Sequence, residues 1–178
     1  MDQFSTWLAL VVLFCLLSLL FVVGYFLVNG VCTVPWVRTP TRYSRRMLEL
    51  GGFQSGQTVV DLGSGDGAIV FEAVKMGGIG IGVERLRLLV WYSRLLAKIK
   101  NVSHKASFSP SNVLTDPLPS ADLITCYLFP GVNRKLEPRL KASFPPGTRV
   151  VSRDFSFPTL KLIHVEQVHS AKIHVYEI

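Results

Sequence analysis

The chain has 178 residues, 49% of them apolar or aromatic and only 17% charged, with a mean hydropathy of +0.37. That composition excludes intrinsic disorder, which needs low hydrophobicity and high charge, and the length allows one compact domain plus an appendage. Lys and Arg number 19 against 12 Asp and Glu, a net charge of +7, yet residues 1–37 contain a single charge, Asp2.

In chain order, the first feature is a run of uncharged residues from Trp7 to Val28, rich in Leu, Val and Phe. As a helix it spans about 33 Å, enough to cross the hydrocarbon layer of a bilayer. A secretory signal would have a basic start, a shorter apolar run and a small-residue cleavage site. Here the start is acidic, the run is longer, and Val28-Asn29-Gly30-Val31-Cys32 is no such site. No Arg-rich, acid-free leader for an organelle is present either. Residues 1–30 are therefore expected to form a retained single-pass transmembrane anchor, with the bilayer as partner through residues 7–28. Arg38, Arg42, Arg45 and Arg46 follow it, so the positive-inside rule puts the remaining chain on the cytoplasmic side. Near anionic headgroups each such charge is worth roughly 1 kcal/mol.

Residues 31–52 read as a linker and a short helix. Val34 to Pro40 is extended, because two prolines within it forbid a helix, and Thr41 can cap a helix to about Leu50, closed by Gly51-Gly52. From residue 53 to 178 short apolar runs alternate with amphipathic stretches. Strands are expected at Thr58–Leu62, Ile79–Glu84, His104–Phe108, Asp122–Tyr127 and Arg149–Asp154. Helices are expected at Gly67–Met76, Arg85–Lys100 and Val132–Phe144. Leu160–Gln167 and Lys172–Ile178 read as two strands joined by a tight turn. Strand and helix in alternation predict an α/β fold, a doubly wound, Rossmann-like, mostly parallel seven-stranded sheet.

The chemistry concentrates in Val59-Val60-Asp61-Leu62-Gly63-Ser64-Gly65-Asp66-Gly67. Glycines at alternate positions let backbone approach a ligand where a Cβ would collide. In doubly wound sheets such a turn lies at the carboxyl ends of the strands, where ligands bind. Glu84 closes the next strand and can accept hydrogen bonds from both hydroxyls of a ribose. Two cofactors compete for this pattern. Gly63-x-Gly65-x-x-Ala68 formally satisfies the nicotinamide dinucleotide fingerprint, but Asp61 at the mouth of the turn repels a pyrophosphate. S-adenosylmethionine carries an ammonium and a sulfonium and no phosphate, so Asp61 and Asp66 favour it.

The segment Asp61 to Gly67 resembles the first signature of the seven-strand S-adenosylmethionine-dependent methyltransferases. The chain as a whole resembles the membrane-anchored protein lysine methyltransferases of the ATP synthase c-subunit and adenine nucleotide translocase type and their prokaryotic relatives. The matching residues are Thr39-Pro40, Asp61 to Gly67, Glu84 and Tyr127-Leu128-Phe129-Pro130, within roughly residues 30–155. The resemblance implies S-adenosyl-L-methionine as cofactor, held by Thr39, Asp61, Gly63, Ser64, Gly65, Asp66, Gly67 and Glu84. It implies a lysine-bearing membrane protein as substrate, with Tyr127, Phe129 and Pro130 at the acceptor. Relatives usually place an acid after the third strand to bind the adenine amino group. This chain has Ser109-Pro110-Ser111-Asn112 there, and Asn112 is expected to take that contact.

Backbone carbonyls and the aromatic faces of Tyr127 and Phe129 suit an amine by hydrogen bonds and cation–π attraction, although both rings could equally cap the core. Asp154 could orient or deprotonate the amine, against pairing with Arg153 or Arg149. His104, His164, His169 and His174 read as solvent-facing strand residues. Cys15, Cys32 and Cys126 show no CxxC spacing and no histidine partner, so no metal site or disulfide framework is expected, and a reducing compartment fits. Lys98, Lys100 and Lys105 read as a solvated face rather than a nucleic-acid groove. Three functions stay open: methyl transfer to a lysine of a membrane protein, methyl transfer to a lipid, quinone or other small molecule, and non-catalytic cofactor binding at a membrane.

Overall fold

The computed structural model describes residues 3–31 and 37–178. The chain divides after Trp36 into two compact units. The start of the expected linker, residues 34–36, and Cys32 lie outside the described residues.

The first unit is one helix, α1 (Gln3–Val31). Its segment Ser5–Tyr25 has a mean hydropathy of 2.8 and is long and apolar enough to cross a membrane. Leu, Val and Phe side chains between Trp7 and Val23 are exposed all around it, so the helix has an apolar surface on every side.

The second unit opens with α2 (Thr41–Leu50), which buries Tyr43, Ser44, Met47 and Leu48 and turns its arginines outward. Thr41 is the first helical residue and not the cap: Pro40 holds that position and no side chain caps the helix. Gly52, at φ +74°, ends it, with the Phe53 amide donating to the Leu48 carbonyl at 3.0 Å. There follow β1 (Thr58–Leu62), α3 (Ala68–Lys75), β2 (Ile79–Glu84), α4 (Arg87–Ile99), β3 (Ala106–Pro110), β4 (Leu123–Cys126), α5 (Pro130–Ser143), β5 (Arg149–Arg153), β6 (Lys161–Val168) and β7 (Ala171–Glu177).

The strands form a seven-stranded sheet in the order β3-β2-β1-β4-β5-β7-β6. The first five are parallel, and β7 runs antiparallel to both β5 and β6. One core cluster joins Met47 and Leu48 of α2 and Ile69 and Ala73 of α3 to Val59, Leu123, Val151, Ile173 and Val175 of the sheet. A second joins Val70 of α3 to Val90 and Ala97 of α4 and to Ala106 and Phe108 of β3. Strand alternation therefore turns Val59, Leu123 and Val151 to the face that α2 and α3 cover. Right-handed crossovers put α5, which steps the other way along the sheet, on the opposite face.

The third strand sits two residues later than its apolar pattern suggests. Its register is set by parallel pairing with β2, from Gly80↔Ala106 to Glu84↔Pro110. A proline can end an edge strand, whose outer side needs no donor. His104 falls in the exposed turn before it.

Candidate active site

Because β1 to β5 run parallel, the residues that follow their carboxyl ends share one edge of the sheet. Gly63–Gly67 follow β1, Glu84 ends β2, Asn112 follows β3, Tyr127 follows β4 and Asp154 follows β5. The order β2-β1-β4 sets Glu84 and Tyr127 on either side of the glycine turn.

The turn needs its glycines. Gly63 and Gly67 have φ of +82° and +81°, where an L-residue is strained. A Cβ on Gly63 would lie 2.7 Å from Cδ2 of Leu128, and one on Gly67 would lie 2.6 Å from Cε1 of Phe108. The bend is tied to β2: the amides of Gly63 and Ser64 donate to the Val83 carbonyl at 2.8 and 3.1 Å. Glu84 accepts from the Gly65 amide at 3.0 Å through Oε2 and from the Leu86 amide at 2.8 Å through Oε1. One carboxylate thus joins the glycine turn to the start of α4, and each oxygen keeps a second lone pair for a ribose hydroxyl.

Asp61 is placed differently from its expected position at the mouth. Its side chain is buried and accepts a hydrogen bond from Thr125 Oγ1 at 2.8 Å, its partner across the β1–β4 pair. Burial pushes its carboxyl up to about 7, with the charges of Glu84 and Asp66 adding to the rise and the Thr125 hydrogen bond opposing it. Asp66 is buried too, with its Oδ2 3.0 Å from Nε of the exposed Arg38. That arginine belongs to the segment leading into α2, in which Thr39 is buried. The buried Ser64 Oγ has no hydrogen-bond partner among the described residues. Three acids around a bare-backbone bend, with an unsatisfied hydroxyl inside it, fit a cationic ligand with hydrogen-bonding hydroxyls and repel a pyrophosphate.

Asn112 stands beside Glu84, because the preceding Ser111 amide donates to the Glu84 carbonyl at 3.0 Å. Its Oδ1 accepts from the Leu114 amide, and its own amide donates to Asp116 Oδ2, both at 3.0 Å. That hydrogen bond is the main reason the Asp116 carboxyl sits below its usual range. The asparagine carbonyl therefore shapes its own loop, and Arg139 pins that loop through the Val113 and Asp116 carbonyls.

After β4, Leu128 turns inward against Gly63, while Tyr127 and Phe129 flank Phe155. Tyr127 stacks on Phe155 at 5.9 Å and 14°, and Phe129 meets it edge-on at 5.3 Å and 71°. Phe129 is exposed, and Pro130 opens α5, where its fixed φ suits a first helical position. Burial raises the Tyr127 phenol above its ordinary value. The nearly buried Arg153 places its guanidinium 4.4 Å from the Tyr127 ring centre and 4.6 Å from that of Tyr43. Its Nε lies 3.2 Å from Asp154 Oδ2. Asp154 holds φ at +60°, fixed by hydrogen bonds in both directions with the Lys172 backbone, at 2.6 and 2.9 Å.

Sequence reasoning had no signal for Thr125, Arg38, Tyr43 or Phe155 as members of this edge. Thr125 becomes visible only once β1 and β4 are paired in register. His174 also departs from expectation: it is buried, stacked on Tyr176 at 6.2 Å and 20°, and burial lowers its pKa. A cleft of about 350 Å³ lined by Gly51, Gly52, Asp122 and Arg149 among others lies at the opposite, amino ends of β1, β4 and β5.

The family model for the ANTKMT methyltransferase domain matches residues 61–164. A protein-lysine N-methyltransferase of Saccharolobus islandicus is 37% identical over 130 residues, covering 68% of this chain and 77% of that protein. A lysine N-methyltransferase of the ATP synthase c-subunit from Xenopus laevis is 31% identical over 132 residues, 74% of this chain and 58% of that protein; this chain thus spans little more than half of that vertebrate relative. Among solved structures, an RNA methyltransferase from Salinibacter ruber in complex with S-adenosyl-L-homocysteine superposes with a TM-score of 0.77 at 34% identity, over 80% of this chain and 94% of that one. The chain belongs to the ANTKMT methyltransferase domain family and is an S-adenosylmethionine-dependent methyltransferase.

Proposed function

We propose that the protein is a membrane-anchored N-methyltransferase acting on a lysine of a membrane protein. The observation that carries this reading is the joint presence of a lysine-methyltransferase-type domain and α1, whose Ser5–Tyr25 segment can span a bilayer. Leu, Ile, Phe and Val at the centre of such a helix each favour insertion by about 0.3–0.6 kcal/mol, so a run of this length is a strong anchor. Arg38, Arg42, Arg45 and Arg46 beyond it support a domain on the cytoplasmic side. A tether raises the local concentration of a target in the same membrane.

At the site, Gly63, Ser64, Gly65, Asp66 and Gly67 would cradle the cofactor. Asp61 would face its positive charge and Glu84 its ribose, with Thr39 and Asn112 flanking. When bound, the cofactor supplies a methyl group on a sulfonium for in-line transfer to an amine lone pair. The chain must align that amine and keep it neutral. The Tyr127 ring already carries Arg153 and stacks on Phe155, so cation–π contact with an incoming lysine falls to the exposed Phe129. The Phe129 carbonyl already accepts the Val132 and Asn133 amides, so the backbone carbonyls before it would be the ones to accept the amine hydrogens. Arg153 beside the acceptor position would disfavour a protonated amine; Asp154 is engaged by Arg153 and by the Lys172 amide, so the departing proton would go to solvent.

Native membranes incubated with tritiated S-adenosylmethionine test the acceptor. Label is expected in protein and is recovered as methyllysine after acid hydrolysis. With Asp61→Asn at subsaturating cofactor it should fall about tenfold, the value of one hydrogen bond to a charged group. Label in the organic extract would support a lipid or quinone acceptor instead, and label in RNA would replace both.

A further inference from the structure

Helix α4 carries a second apolar face that the fold does not use. Its inner side buries Leu89, Val90, Ser93 and Ala97. Leu88, Trp91, Tyr92, Leu95 and Ile99 are nonetheless exposed, Trp91 and Ile99 to 61% and 67%. Their spacing of three, four, seven and eleven residues from Leu88 gathers them in one stripe along the helix. Arg87, Arg94 and Lys98 follow one edge of that stripe by the same periodicity. From Arg85 to Lys105 the chain carries six basic residues, Arg85, Arg87, Arg94, Lys98, Lys100 and Lys105, and no acid. Arg94 is held by the Phe108 carbonyl at 2.9 and 2.6 Å, which fixes the basic edge to the body of the domain.

We propose that this outer face of α4 docks on an anionic bilayer surface. An apolar stripe with Trp and Tyr, bordered by basic side chains, matches the headgroup–acyl boundary: the rings and aliphatic groups enter and the cations meet lipid phosphate. Leu88, Leu95 and Ile99 cannot stack on bases, which favours lipid over a nucleic acid. A second protein copy would have to accommodate this basic edge against its own. The helix begins directly after Leu86, whose amide is held by Glu84, so docking would orient the cofactor edge with respect to the membrane. A single-point tether does not fix that orientation.

The test uses the full chain with Trp7→Phe and Trp36→Phe, leaving Trp91 as its one tryptophan. It is reconstituted in nanodiscs of phosphatidylcholine, alone or mixed with phosphatidylglycerol. Trp91 emission is expected to shift to the blue and to be quenched by brominated acyl chains in the anionic discs, and less so at high salt. Arg87→Gln with Lys98→Gln should lower the docked-to-free ratio about thirtyfold, from the contribution of two basic residues near the surface. Leu88→Ser with Leu95→Ser should abolish quenching, and unchanged cofactor binding would show that both variants fold. Water-like emission without quenching in anionic discs overturns the proposal. So does a blue shift that follows protein concentration without lipid quenching, which would indicate a second copy, or one produced by an RNA oligonucleotide and not by lipid. Incorporation into the disc reports on α1 and Trp91 on α4, so failure of the anchor and failure of docking are read separately.

Discussion

At the scale of single residues, Asp61 couples the site to pH. Burial pushes its carboxyl up to about 7 in the fold, against about 4 in an unfolded chain. Between those values the folded state holds the extra proton, so stability is greatest at the acid end of the window. It declines as pH rises through 7, by on the order of 4 kcal/mol in total. On the proposed placement beside Asp61, a cationic cofactor favours the ionised form and reverses the preference. Binding of S-adenosylmethionine is therefore expected to release a proton below pH 7, to tighten as pH rises to 7, and to level off above it. Calorimetry in buffers of different ionisation enthalpy measures this directly. Asp61→Asn, which keeps the side chain's shape, should remove the proton release and weaken binding roughly tenfold. Gly67→Ala tests the turn itself. A left-handed alanine costs about 1–2 kcal/mol, and its methyl must also displace the Phe108 ring. Urea denaturation should show a loss of at least that size together with weaker cofactor binding.

At the scale of elements, the sheet was legible because each strand is a short apolar run bounded by glycine, proline or charge. The glycine turn was legible because backbone conformation alone demands those residues. What could not be read were contacts made by register and by crossovers. Thr125 meets Asp61 across 64 residues of sequence, and Arg153 is sandwiched by tyrosines from α2 and from the end of β4. His174 alternates with the apolar Ile173 and Val175 and so reads as exposed, but its strand pairs with β5 and β6 on both sides. The cap of α2 falls on Pro40 rather than Thr41 because a φ of −57° and ψ of 146° at the proline already set the turn into the helix. Asp61 reads as a mouth residue because its distance from Gly63 is apparent in the sequence and its depth is not. The link between α5 and the chain after β5 was also invisible. Glu137 is buried and accepts from the Thr159 amide at 3.0 Å, from Lys141 Nζ at 3.0 Å and from Thr159 Oγ1. Glu137→Ala removes the buried, charged acceptor of the Thr159 amide and of Lys141, so unfolding should become easier by about 2 kcal/mol, with Glu137→Gln recovering part of it. A thermal or urea midpoint measures both.

At the scale of the whole molecule, the proposed function divides the work between the two units. Residues 37–178 hold the complete sheet, both core clusters and every residue of the carboxyl edge, and α1 supplies an apolar segment of membrane-spanning length. On that proposal chemistry and delivery are separable. Removal of residues 1–36 should leave cofactor affinity unchanged and lower methylation of a membrane-resident target through loss of effective concentration. The most direct measurement is peptide mass spectrometry of native membranes treated with subsaturating S-adenosylmethionine and the full chain, its Asp61→Asn variant, or the form without residues 1–36. New methyllysine is predicted on an integral membrane protein with the full chain, about tenfold less with Asp61→Asn, and slowed appearance without the first 36 residues. Methylation confined to lipid or RNA, or methyllysine formed equally well by the Asp61→Asn variant, would contradict this reading.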